Sequence, residues 1–332
     1  FTEPGTYIIN FYARDIWDSV SPPKQTVVVQ AGFLEKVVLV AGGETYDAAW
    51  PAVQAISRQV YETSRSRLIT SSNLHFVSAS PFEDFDRDGT NEVDGVTERS
   101  VVEDAVRTWA DDADRWTVYL VGLEEADRFR LSRSEQIGAS TLDSWLDWFQ
   151  RSNRTANVVL EFPGSGGYVG TLDAPEGEER LVSASSVAGR AQVLSVQGSF
   201  SSYLLGEIFG GASLGEATQR ARKAIRRASG NLRQKALIED SGNGIPNEKN
   251  LDGLLSMGRY LGTAFFTGED LPFIAEVLPE TVLTNDALVL YASGVSDADG
   301  IRDVWVEITS PTNYAGGVST RLSLTHVVGS AR

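Results

Sequence analysis

From Lys36 onward the chain alternates continuous apolar runs with segments whose apolar residues recur at helical spacing. A strand apolar on every residue has to be covered on both faces, and a chain that returns through a helix lays its strands parallel. Lys36-Val37-Val38-Leu39-Val40-Ala41 reads as the first strand. Trp50, Val53, Ile56 and Val60 then mark a helix, with Pro51 in the first turn where its missing N–H costs nothing. His75-Phe76-Val77 is a short second strand, and Thr97 is the expected cap of a helix with apolar face Val101, Val102, Ala105, Val106 and Trp109. The third strand spans Trp116 to Val121, the helix after it carries Leu142, Trp145, Leu146 and Phe149, the fourth strand runs from Asn157 to Phe162, and the fifth from Arg180 to Ala184. Ser213 and Glu216 form a capping box ahead of a stripe of Leu214, Ala217, Ala221, Ala224, Ile225 and Ala228. Arg220, Arg222, Lys223, Arg226 and Arg227 fill the other positions of that helix. They read as a solvated face placed late, where cations suit the macrodipole. The expected fold is α/β, a mainly parallel sheet with helices on both faces, over residues 33–268.

The two ends read as strands alone. Thr6 to Ala13 and Gln25 to Gln30 flank the breaker Ser21-Pro22-Pro23, and Ala287–Ser293, Val304–Ile308 and Thr320–Thr325 follow the α/β region. They resemble pieces of immunoglobulin-like β-sandwich modules over 1–32 and 269–332. Two or three strands cannot bury a core alone. The expected partners are therefore neighbouring domains of the same polypeptide or adjacent copies in a polymer. The chain opens on Phe1-Thr2-Glu3 and reads as a piece of something longer.

Composition excludes several functions. A net charge of −16 and a pI near 4.6 argue against nucleic acid, whose binding rests on phosphate neutralisation by Lys and Arg. They argue equally against anionic lipid. No apolar run approaches the roughly 20 residues of a membrane span, so no membrane insertion is expected. With no cysteine there is no disulfide, thiolate or thiol metal site.

One stretch carries positive chemistry. Asp84, Asp86 and Asp88 alternate up to Gly89, and Thr90 and Asp94 follow. Alternate carboxylates closed by a glycine wrap oxygens around a hard cation, with a backbone carbonyl at Thr90 as the next ligand. Gly95 stands where an EF-hand has its bidentate glutamate, so the loop is closer to the short calcium loops of extracellular repeats, with Asp94 or Glu98 as the late ligand. Calcium is the expected cofactor. Asp240-Ser241-Gly242-Asn243-Gly244 is a second, poorer acidic turn, and Asp297-Ala298-Asp299-Gly300 reads as a hairpin turn.

Five further pieces fall in a telling order: Val38 to Gly43, Ala110 to Asp114, Val158 to Tyr168, Ser183 to Ser186, and Asp240 to Pro246. Together they resemble the caspase-like and legumain-like cysteine peptidases of bacterial type, over about Lys36 to Gly268. The resemblance implies a caspase-like sheet and a cleft at Gly122, Glu161, Gly164, Ser165 and Gly166, Glu161 helping to shape a pocket for a basic side chain. It also places the family's histidine at Leu123 and its cysteine at Pro163. Leucine accepts no proton and proline offers no nucleophile, so the family's reaction cannot run. The expectation is no enzyme: a pseudopeptidase serving as a structural, adhesive or ligand-binding module of a secreted or cell-surface bacterial-type protein. Two alternatives stay open, a regulatory pseudopeptidase that grips peptides and a hydrolase using Ser165. Ser165 lies in a glycine-rich turn but has no evident base beside it and no nucleophile-elbow pattern. His75 and His326, the only histidines, read as remote from the cleft.

Overall fold

A computed structural model describes residues 34–262 other than 87, 152, 153, 196 and 197, together with the segments 5–11, 24–30, 276–277, 292–295, 305–308 and 320–323. β1 (Gly5–Phe11) and β2 (Lys24–Gln30) form an antiparallel pair, Gly5 opposite Gln30. A seven-stranded sheet follows. Its members are β3 (Glu35–Ala41), β4 (Leu74–Ser78), β5 (Gly95–Val96), β6 (Arg115–Val121) and three strands further along the chain. Between them a small antiparallel sheet is inserted from β7 (Leu123–Glu125), β8 (Arg128–Arg130) and β9 (Gln136–Ile137). The main sheet then takes up β10 (Thr155–Glu161), β11 (Arg180–Ala184) and β12 (Leu237–Glu239). Its order is β12-β11-β10-β6-β3-β4-β5, parallel throughout except for β12 against β11. Near the C-terminus β13 (Glu276–Val277) pairs with β14 (Ala292–Ser293), and β15 (Trp305–Ile308) with β16 (Thr320–Ser323). Beyond these strand pairs, the expected immunoglobulin-like modules, the Asp297 turn and His326 lie outside the described residues.

Strand alternation divides the core into two layers. Val38 and Val40 point to one face, with Val118, Leu120, Val158 and Leu160. That face is covered by α2 (Arg99–Asp104), the π-helical turn that continues it through Trp109, and α3 (Ala139–Gln150). Val37 and Leu39 point to the other, under α1 (Trp50–Ser66), α4 (Phe200–Phe209) and α5 (Leu214–Ala228). The doubly covered α/β sheet is therefore present. Pro51 sits in the first turn of α1, and Ser213 with Glu216 makes both bonds of the capping box of α5.

Three local expectations are corrected. Thr97 does not cap α2; Glu98 takes that position and makes no side-chain cap bond, because the chain enters the helix one residue later. Within the α5 stripe Ala228 is exposed and Ala224 half-buried, since the last turn leaves the sheet. The apolar periodicity through Trp109 continues not as α-helix but as a π turn, Ala110 N–H bonding the Ala105 carbonyl at 2.9 Å.

Candidate functional site

The sheet reverses its order of filling between β3 and β6, so their carboxyl ends form the topological switch point where open α/β sheets usually bind ligands. Here that crevice is closed. Gly42 N–H bonds the Val121 carbonyl at 2.9 Å, and a Cβ on Gly122 would stand 2.8 Å from the Gly42 carbonyl oxygen. A Cβ on Gly42 would meet the Arg130 carbonyl at 2.3 Å and the Phe129 ring at 2.6 Å. The β7–β9 sheet thus lies directly on the strand ends, held by Gly43 N–H to the Leu131 carbonyl and by the Arg130–Asp47 ion pair.

Leu123 and Pro163 follow adjacent strands. Val121 pairs with Glu161 across the parallel β6–β10 ladder, so each residue lies two positions past a matched strand end. Both are half-buried. Gly164 follows in the left-handed conformation at φ 71°, and Gly166 passes so close to the next loop that a Cβ would lie 2.5 Å from the Ser186 carbonyl oxygen. Ser165 is fully buried between them. Its hydroxyl lies 3.3 Å from that of Ser185 and 3.5 Å from that of Ser186, and it accepts from Ser186 N–H at 3.3 Å. Its partners are hydroxyls and an amide, none of them a base that could take its proton.

Glu161 closes the β10 end from the other side of the sheet. It is fully buried, accepts from Ser201 N–H at 2.6 Å and Gln192 Nε2 at 3.1 Å, and so docks its carboxylate on the first turn of α4. Burial pushes its pKa up to about 7, outweighing the hydrogen bonds from Ser201 and Ser185 that favour the ionised form. Tyr119, whose hydroxyl donates to Ser201 Oγ at 2.6 Å, is held well above the usual tyrosine range by burial and by Glu161. Glu161 thus joins a sheet strand to a helix terminus.

The acidic loop gathers a different set of carboxylates from the one expected. Asp84, Asp86, Asp88 and Glu92 each offer an oxygen within 4.8 Å of the others. Oxygen ligands of calcium sit about 2.3–2.6 Å from the ion, so an all-oxygen group of this span fits it. Asp84 Oδ1 is buried and has no hydrogen-bond partner among the described residues, which leaves an acceptor oxygen available to a cation. Asp94 is diverted: its Oδ2 accepts from Phe76 N–H at 2.8 Å and its own N–H bonds the Phe76 carbonyl at 2.8 Å, tying the loop to β4. Thr90 N–H bonds Asp88 Oδ1 at 2.7 Å, folding the middle of the loop. Phe85 N–H bonds Glu92 Oε2 at 2.8 Å, and the buried Phe85 ring packs on Phe76 and Tyr61 at 5.3 and 5.6 Å. Burial, followed by the charges of Asp86, Asp84 and Asp88, raises Glu92 above the usual carboxylate range, against the bond from Phe85. A divalent cation would relieve that crowding.

The second acidic turn is spent on backbone. Glu239 Oε1 accepts from Ser241, Gly242 and Asn243 N–H groups at 2.8–3.2 Å, and Asp240 accepts from Gly253 and Ser256 N–H at 2.7 and 2.8 Å. His75 lies on β4 against the Trp109 ring at 5.2 Å, two strands from the Leu123–Pro163 pair. Comparison with protein-family models and with curated proteins returns no match for this chain.

Proposed function

We propose that residues 33–268 form a caspase-like pseudopeptidase domain that works without catalysis, as a calcium-stabilised structural, adhesive or ligand-binding module of a secreted or cell-surface protein. The observation that carries this reading is that Leu123 and Pro163 each stand two residues past the paired strand ends Val121 and Glu161, where the resemblance would put a proton acceptor and a nucleophile. Ser165 is a poor substitute, being buried among serines. The crevice beside it is filled by Phe129 and the Arg130 backbone, which favours a structural part over a peptide-gripping one. Calcium would be held by Asp84, Asp86, Asp88 and Glu92, supplying positive charge that locks the loop onto β4 and α1. Flanking β segments would be completed by neighbouring domains or adjacent copies.

The test is a peptide library presented to the pure protein with calcium. No cleavage is the expected outcome. Cleavage that Ser165→Ala abolishes would replace this reading with a serine hydrolase. Saturable peptide capture without cleavage, lost in Gly167→Arg, where the backbone is exposed and has room for a side chain, would favour the regulatory alternative.

A further inference from the structure

The basic residues of α5 do not simply face solvent. Gln219, Arg222, Lys223 and Arg226 recur at helical spacing and line one wall of a groove of about 570 Å³. The chain then turns through Arg233, left-handed at φ 47°, and leads into β12. Along that stretch Gln234 and Ala236 are buried while Arg233 and Lys235 are exposed, and these two form the facing wall. Gln234 fixes the wall in place, donating to the Ser185 carbonyl at 2.7 Å and accepting from Val193 N–H at 2.8 Å. Two rows of cations thus converge on one concavity, beside the chain that leaves the carboxyl end of β11.

This arrangement is unusual on a chain of net charge −16, with 45 acidic and 29 basic residues. Other cations nearby and in the core are paired: Arg220, on the same helix, meets Glu207 at 2.6 Å, and Arg180 meets Asp143 and Asp147 at 2.8 and 2.7 Å. Among the described residues no side-chain hydrogen bond or salt bridge satisfies Arg222, Lys223, Arg226, Arg233 or Lys235. The charge of Asp252 acts on Arg222 against the effect of that guanidinium's burial. Like charges held together cost free energy unless a counter-charge enters.

We propose that this groove is a binding site for a compact polyanion carrying several phosphate or sulfate groups. Charge density decides the class. Five cations around so small a volume call for several negative charges in little space, and a phosphate monoester brings about 1.5–2 charges per group where a carboxylate side chain brings one with its own backbone. The three guanidinium forks suit tetrahedral oxyanions bidentately, and the two lysines add point charges. The site is separate from the Leu123–Pro163 strand ends and does not depend on how they are read.

The test is calorimetric titration of the intact chain with tripolyphosphate in metal-free buffer, beside sucrose octasulfate and hexa-aspartate. Saturable binding of one tripolyphosphate is expected, at least tenfold weaker in the Arg226→Gln, Arg233→Gln double variant and unchanged in Arg227→Gln, which is on α5 but outside the groove. Both residues of the double variant are exposed, so its fold should stand, and circular dichroism checks this. Binding should also weaken with salt, since the screening length falls from ~10 Å at 0.1 M to ~3 Å at 1 M. Tighter binding of the octasulfate than of tripolyphosphate keeps the site and assigns sulfate as the source. No saturable binding of either, equal loss in Arg227→Gln, or tighter binding of hexa-aspartate would overturn the proposal.

Discussion

Glu161→Gln should remove much of the protein's loss of stability between mildly acidic and mildly alkaline pH. In the native protein the Glu161 pKa is raised from 4.5 to about 7, with burial as the leading cause. Between those values the unfolded chain has released this proton and the folded chain still holds it. The folded state then binds more protons, so stability falls as pH rises through the window and the full cost is present above about pH 7. A shift of about 2.5 units corresponds to roughly 3 kcal/mol, at about 1.4 kcal/mol per unit. Glutamine is neutral in both states and contributes no such slope. It also keeps the contacts: its amide oxygen can accept from Ser201 N–H, and if its NH₂ faces Gln192, that side chain can flip and remain bonded both to residue 161 and to Ser185.

The assay is urea denaturation of both proteins at pH 5 and pH 8.5. Glu35 and Glu239, also raised by burial, tilt both curves and cancel in the difference between variants. With an m-value of about 3 kcal/mol/M, the native protein's midpoint should fall by roughly 1 M more than that of the variant. Equal falls would refute the reasoning. They would mean that the amide of Ser201 and the first turn of α4 hold Glu161 ionised, and that hydrogen bonding outweighs desolvation.

Two further outcomes follow from the loops. Calcium at a hundred times its dissociation constant should stabilise the native state by about 2.7 kcal/mol, raising Tm by roughly 5–10 °C for a domain of this size, and Asp86→Asn with Asp88→Asn should erase the shift between excess calcium and chelator. Melting curves that coincide with and without calcium in the native protein would refute the site. Gly166→Ala should cost about 1–3 kcal/mol in denaturant midpoints or prevent folding, because the new methyl falls 2.5 Å from the Ser186 carbonyl oxygen; an unchanged midpoint would show that the Ser186 loop yields freely.

Five of the six parallel strands are legible because burial on both faces makes their middles short apolar runs, while β5, of two residues, gives no such signal. β3 is buried at every residue, and β10 at every residue after the first. The elements that sequence reading misses are short or polar. β7, β8 and β9 have two or three residues each, with Glu124, Glu125, Arg128 and Arg130 among them, and hold together by lying on Gly42 and Gly122 rather than by any period of their own. β12 has three residues and exists because β11 offers an open edge. α4, Phe200 to Phe209, has Gly206 inside it, and its one local signal, Ser199 accepting from Ser202 N–H, carries no capping box.

The same distinction separates what could be read at the candidate sites from what could not. Alternation gave Asp84, Asp86 and Asp88. Carried past the backbone position Thr90, the same period reaches Glu92, whose carboxylate lies in the cluster with the three aspartates. Asp94 also fits that period, and only its two bonds to Phe76 remove it, a decision made by the pairing of the loop's end with β4. Glu161 poses the harder case. On sequence it stands beside the Pro163 position and reads as part of a cleft. Its role follows from α4, forty residues away, whose first turn presents Ser201 N–H to a carboxylate buried under the sheet. An acidic residue that reads on sequence as part of a cleft therefore need not belong to one: with a helix terminus as its partner, Glu161 has a place in the fold whether or not a reaction takes place beside it.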